Sequence, residues 1–256
     1  MAADEYFALN LPVSGFDAVL RFYRWSTPTV SLGCHQLADA VQLERCRELG
    51  WNVVYRPTGG RALLHDNDLS YAIVVRSEHN SYELFRRLYN QVGEAIVQAL
   101  GELGLNAAVT IPDAVKVRKD GHLRAGLCLD SRVRGEVTVY GKKIAAAAQH
   151  VYRQSLLQHG SIMLEGDPGA IAMVSILPEQ YKEQVRLKLQ ARAGALRDFL
   201  KFDLDVMQFA AILKGAFSRQ LSLKLYEDDW KDEELQAVER GSTDFTLCGS
   251  KIMEMV

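Results

Sequence analysis

Helical and strand-like patterns alternate along this chain, and that interleaving predicts a mixed α and β fold. Two segments carry the prediction. Leu84, Leu88, Val92, Ile96, Ala99 and Leu103 recur at helical spacing. Leu69-Ser-Tyr-Ala-Ile-Val-Val75, by contrast, is apolar and rich in β-formers, the mark of a strand with much of its length buried. Composition agrees: 256 residues, 48% hydrophobic and 24% charged, suffice for a sizeable core.

The elements follow in order. Residues 36–49 read as a helix ended by Gly50, and the run Trp51-Asn-Val-Val-Tyr55 as a short strand. Asn80 and Glu83 fit a capping pair at the start of the helix carrying Leu84; Phe85 and Tyr89 widen its apolar stripe, and Gly104 closes it. Residues 115–126 crowd polar side chains around Gly121 and read as a loop. Glu136-Val-Thr-Val-Tyr140 and Gly141-Lys-Lys-Ile144 spell strand, turn, strand, and His159-Gly-Ser-Ile-Met-Leu164 is a further strand. From Glu179 onward the pattern turns helical. Asp205 is placed to cap a helix with Val206, Phe209, Leu213, Phe217 and Leu221 on one face, and Asp228 or Asp229 to cap a last short helix. No repeat, low-complexity tract or evident linker divides the chain. The expectation is a single domain over residues 1–256, with 179–256 a mainly helical C-terminal portion.

Charge and cysteine usage narrow the function. A net charge of −2 argues against a general nucleic-acid binder, which needs clustered Lys and Arg. No transmembrane segment is expected, and the opening residues show neither the basic region nor the apolar run of a secretory signal. Cys34, Cys46, Cys128 and Cys248 are scattered with no Cys-x-x-Cys pair, so reduced thiols and a cytoplasmic location are expected rather than a disulfide frame or a zinc site.

Two adjacent glycines in Thr58-Gly59-Gly60-Arg61 let the backbone approach a ligand closely, and amides in such a turn can hold a carbonyl or carboxylate oxygen. On spacing alone the simpler reading is a tight hairpin turn flanked by Arg56 and Arg61. Lys142 and Lys143 lie on opposite faces of their strand, so only one points inward. Cys128, between Leu127 and Leu129, reads on composition as a small buried hydrophobe.

The longer pattern is more specific. Arg56-Pro-Thr-Gly-Gly-Arg-Ala-Leu-Leu-His65, followed by Leu69-Ser-Tyr71, resembles the signature of the lipoate-protein ligase and octanoyltransferase family. Tyr23-Arg-Trp-Ser-Thr-Pro-Thr-Val-Ser-Leu-Gly33 with Gln36 resembles its first motif, and Met1-Ala-Ala-Asp-Glu5 its opening helix. Gly141-Lys-Lys-Ile-Ala145, Ala148-Gln149 and Leu157-Gln-His-Gly-Ser-Ile162 resemble its third block. The resemblance covers residues 1–165 in order. It departs from the family at Ala146-Ala147, where Gly-Ser is common, and at Tyr55, where a second arginine often stands.

The resemblance implies an α+β fold, with mixed, mainly antiparallel sheets flanked by helices as in biotin and lipoate ligase catalytic domains. It further implies an acyltransferase. Cys128, 15 residues before Lys143, stands where cysteine-dependent octanoyltransferases carry the acyl group as a thioester, with Lys143 as the activating cation. Arg56, Thr58, Gly59, Gly60, Arg61, His65, Ala145 and His159 are then expected to shape the acyl site. No metal or other cofactor is implied. The expected donor is acyl carrier protein, and the expected acceptor is a lipoyl domain or the glycine-cleavage H protein; no nucleic acid or membrane takes part. The alternatives are an ATP-dependent lipoate ligase and an amidotransferase moving octanoyl from H protein to lipoyl domains.

Overall fold

A five-stranded antiparallel sheet with helices on both faces organises the chain. The computed structural model describes residues 1–78, 82–110, 136–248 and 253–255. The sheet runs β12 (Met253–Met255), β1 (Ala18–Trp25), β5 (Asp68–Arg76), β10 (Ser155–Met163), β9 (Ala145–Val151), each neighbour antiparallel to the next. Alternation along β5 decides which helix covers which face. Leu69, Tyr71 and Ile73 enter a core with α3 (Tyr82–Glu102) and α5 (Val206–Leu221), while Ala72 and Val74 pack with Ala8 and Leu11 of α1 (Ala2–Ser14).

The two long helices bury the faces that their sequences advertise. Leu88, Val92, Ile96 and Ala99 of α3 meet Phe209, Leu213 and Phe217 of α5 in that core. Asp205 caps α5 by accepting from the Met207 and Gln208 amides. The expected Asn80 cap of α3 lies outside the described residues.

A second sheet has the order β11 (Thr246–Cys248), β3 (Asn52–Arg56), β2 (Thr29–Gly33), β4 (Leu63–His65), with β2 and β3 parallel. Val30, Leu32, Val53 and Leu64 are buried there with Leu189 of α4 (Glu179–Arg192) and Val174 of a 3-10 turn. The third, small sheet joins β6 (Ala107–Val109), β7 (Val137–Val139) and β8 (Lys142–Lys143). Its β7–β8 turn places both Tyr140 (φ 48°) and Gly141 (φ 80°) in the left-handed region, as a two-residue hairpin turn demands. It adjoins the large sheet through Ile144, whose carbonyl accepts the Met163 amide at 3.1 Å.

Three local expectations need correction. The helix expected over 36–49 is a 3-10 turn (Ala38–Ala40) and a short α2 (Leu43–Glu48), because Val41 is extended and bridges to Ser175. The last helix, α6 (Asp232–Phe245), starts later than Asp228 or Asp229 would set it. Lys231 precedes it, and Glu234 accepts the Lys231 amide. The stretch after Arg56 is not a hairpin turn either: β2 lies between β3 and β4, so residues 57–62 cross over the end of β2. Among the described residues no helix is long and apolar enough to cross a membrane.

Candidate functional site

The crossover at residues 57–62 is held down by backbone contact and one buried arginine. Gly33 ends β2 directly beneath it, and a Cβ on Gly33 would collide with the Gly60 carbonyl oxygen. Gly60 itself adopts φ 102°, open only to glycine at ordinary cost. Arg56 turns inward: Nη1 donates to the Ser31 carbonyl (2.8 Å) and Oγ (3.1 Å), and Nη2 to the Gly59 (3.0 Å) and Arg61 (2.8 Å) carbonyls. The guanidinium thus satisfies carbonyls that a tight crossover strands away from the sheets. Cys34 donates its amide to the Thr58 carbonyl at 3.0 Å, which ties the next residue along to the same loop.

Two hydroxyl–histidine–carboxylate chains run beneath this crossover. In one, Thr58 Oγ1 donates to His159 Nε2 (2.7 Å), His159 Nδ1 donates to Asp4 Oδ2 (3.0 Å), and Arg21 pairs with Asp4 Oδ1 at 2.6 Å. In the other, Arg56 occupies a lone pair of Ser31 Oγ, whose proton is directed to His65 Nε2 (2.9 Å). His65 Nδ1 then donates to Asp68 Oδ2 (2.6 Å), which also accepts from Ser161 Oγ. The tautomers are assigned from the partners: a carboxylate only accepts, so the Nδ1 proton faces it. Trp25 stacks on the His65 ring at 4.7 Å and fixes its plane.

Burial, reinforced by the positive field of Arg56, outweighs the pull of Asp4 and holds His159 below its ordinary value. The imidazole is therefore neutral near pH 7, the state in which Nε2 can accept from Thr58. Although Asp68 Oδ1 and Arg21 Nη2 are left without a hydrogen-bond partner among the described residues, every hydroxyl, histidine and carboxylate of both chains is buried. That makes them a rigid floor rather than a reactive surface.

Lys143 stands in different company. It lies on β8 with its side chain 7% exposed, and Nζ donates to Glu136 Oε1 at 2.6 Å, a carboxylate 5% exposed. The hairpin register brings the two together: Thr138 pairs with Lys143, and the Ile144 amide reaches the Val137 carbonyl. A parallel bridge to Ala193, with the Gly194 amide donating to the Lys143 carbonyl, braces the strand from its other edge. Lys142 is only half-buried, as alternation along the strand requires.

The residues singled out in the sequence thus fall into two groups. Arg56, Thr58, Gly59, Gly60, Arg61, His65 and His159 converge on the crossover. Lys143 and Ala145 belong to the adjoining hairpin and β9, where Ala145 is buried opposite Ile162. Cys128 lies outside the described residues. Among the described residues no group of three or more His, Cys, Asp or Glu side chains could hold a metal. Sequence reasoning missed Asp4, Arg21, Ser31, Asp68, Ser161 and Glu136. A signal existed for Asp68, three residues after a motif histidine, and for Glu136, which opens the strand before the Gly-Lys turn. Nothing in the sequence joins Asp4 to His159.

Comparison with known proteins gives this arrangement its family. The octanoyltransferase LipM of Lysinibacillus sphaericus is 33% identical over 86% of this chain and 81% of its own length. That of Bacillus subtilis is 29% identical over 93% and 87%. Among solved structures, a chain from an archaeal lipoylation system, a bipartite lipoate protein ligase and its E2 lipoyl domain from Thermoplasma acidophilum, superposes with a TM-score of 0.75. It is 24% identical and covers 94% of this chain and 86% of that one. A lipoate-protein ligase A bound with ATP superposes with a TM-score of 0.73 at 23% identity, over 94% and 87%. These two share the fold, which agrees with the α+β arrangement of mainly antiparallel sheets expected above. The model of the lipoyl protein ligase A/B catalytic domain matches residues 1–218, and this chain belongs to that family.

Proposed function

We propose that this chain is a protein N-octanoyltransferase working in protein lipoylation. Octanoyl passes from acyl carrier protein through a Cys128 thioester to a lysine of a lipoyl domain or of the glycine-cleavage H protein. The observation that carries the reading is Cys128 standing 15 residues before a buried, ion-paired Lys143, in a chain whose relatives include several octanoyltransferases named LipM.

The chemistry balances without a nucleotide or metal. The Cys128 thiolate attacks the carrier thioester, the new C–S bond forms as the old one breaks, and the carrier leaves as a thiolate that takes up a proton. The neutral ε-amine of the acceptor lysine then attacks the acyl-enzyme. A C–N bond forms, Cys128 leaves as thiolate, and the amine proton passes to water. Lys143 supplies positive charge where thiolate and oxyanion develop. Gly59 and Gly60 bring backbone to the acyl carbonyl, and Arg56, Thr58 and His159 hold that backbone in place. Arg61, His65 and Ala145 complete the walls, and the reaction belongs in the cytoplasm with its carrier proteins.

Intact mass after incubation with octanoyl-carrier protein tests the reading. The wild type should gain one octanoyl adduct and Cys128→Ser none. An adduct that persists in Cys128→Ser would remove the nucleophile assignment. Parallel incubations with octanoyl-H protein, or with lipoate plus ATP, report the amidotransferase and ligase reactions directly.

A further inference from the structure

The buried partner of Lys143 is left unused by the reaction just described. Both groups are more than nine-tenths buried, and each is held by backbone that cannot easily move away. Glu136 immediately precedes β7, its carbonyl accepting the Thr110 amide at 2.7 Å, and Lys143 is fixed on both edges by Thr138 and Ala193. Among the described residues Glu136 is the one ion-pair partner of Lys143. A buried ammonium without a counter-charge is costly, and it relieves that cost by losing its proton or by swinging toward water.

We infer that Glu136 is a positioning residue for acyl transfer: its carboxylate holds the Lys143 ammonium in place and oriented before substrate arrives. The cation is then ready where negative charge develops, with no reorganisation left for the transition state. The carboxylate also spends one Nζ proton, so the other two set the directions in which Lys143 can serve sulfur or oxygen. This inference rests on the octanoyltransferase reading for what Lys143 serves, but the pairing itself is independent of the substrate.

The test therefore has two arms. In the first, full-length wild type, Glu136→Gln and Glu136→Asp are treated with an amine-acetylating reagent at pH 7, and labelling of Lys143 is read by peptide mass against exposed Lys201. Glu136→Gln should raise the Lys143 ratio by roughly tenfold, since an amine released from its partner reacts where a buried, paired one does not. Glu136→Asp, which keeps the charge, should return most of the protection. In the second, single-turnover acylation by octanoyl-carrier protein should slow by about tenfold or more in Glu136→Gln, with KM for the carrier changed by less than about twofold.

A Lys143 ratio equal to wild type in Glu136→Gln overturns the inference. So does faster labelling with an unchanged acylation rate, or a KM that rises by the factor by which the rate falls. Faster labelling in the variant, together with no acyl-enzyme even in the wild type, leaves the pairing standing and overturns the octanoyl reading instead.

Discussion

The floor beneath the Gly59-Gly60 crossover and the hairpin that carries Lys143 both bury charge, yet they are built in opposite ways. Each floor carboxylate is shared by two donors, at least one of them from a distant part of the chain. Asp4 takes Arg21 from β1 and His159 from β10, while Asp68 takes His65 and Ser161. The hairpin buries a single ion pair, a cation and an anion seven residues apart in the chain. A distributed network fixes geometry, because no member can rotate without stranding another. A lone pair, whose two members come from one hairpin, fixes charge and direction and leaves the surrounding fold almost untouched. The division would suit the acyl-transfer site proposed above, in which backbone around a carbonyl is rigid and one cation faces changing partners.

The largest effect that separates the two regions is on stability. Asp4→Ala removes the hub of the first chain and leaves Arg21, 10% exposed, buried without its carboxylate partner. Breaking a buried pair by removing one member costs about 3–5 kcal/mol, and Thr58 and His159 lose their anchor as well. Denaturant unfolding should show that loss, with Glu136→Gln costing less. Glutamine still offers Lys143 an oxygen, and only one partner, rather than both Arg21 and His159, loses its carboxylate. Equal costs would remove the distinction between floor and hairpin.

A smaller effect appears with pH. The folded-state pKa of His159 is depressed, so the unfolded chain binds the proton at higher pH than the folded chain does. The stabilisation is therefore complete above the unfolded value near 6.5, and it is lost as pH falls from there through the folded value. One proton makes the slope at most about 1.4 kcal/mol per pH unit. Melting temperatures between pH 7 and pH 5 should fall in the wild type, and His159→Gln should flatten part of that fall. A variant with an undiminished slope would place the acid-sensitive group elsewhere.

How far the sequence revealed these regions follows from how far apart their parts lie along the chain. The α3 stripe from Leu88 to Ala99, the Asp205 cap and the β7–β8 turn are local patterns, and each stands where periodicity puts it. The inward lysine is legible for the same reason, since alternation alone places Lys142 and Lys143 on opposite faces. The floor is not local. Asp4 and His159 are 155 residues apart, and Thr58 reaches the same histidine from a third element. A motif marks such residues as special but says nothing of what they touch. Arg56 shows the consequence: read as a charge flanking the turn, it is a strut directed into carbonyls of its own loop and of β2. The crossover itself resembled a hairpin turn because no local pattern shows that β2 will be inserted between the strands on either side.

The smallest expected effect probes the hairpin from within. Lys142 and Lys143 carry the same charge on adjacent residues, and they differ only in the face on which the strand presents them. If Lys143 acts through its particular direction and its Glu136 partner, Lys142→Ala should leave unfolding free energy within about 0.5 kcal/mol of wild type, as half-exposed substitutions usually do. Its acylation rate should stay within about twofold, whereas Lys143→Ala should lose most of it. The paired measurement uses the same hairpin, the same loss of one charge and the same mass assay for the acyl-enzyme. Equal losses in the two variants would mean that the hairpin contributes a diffuse positive field. Unequal losses, falling on Lys143, tie the effect to one ammonium aimed by one carboxylate.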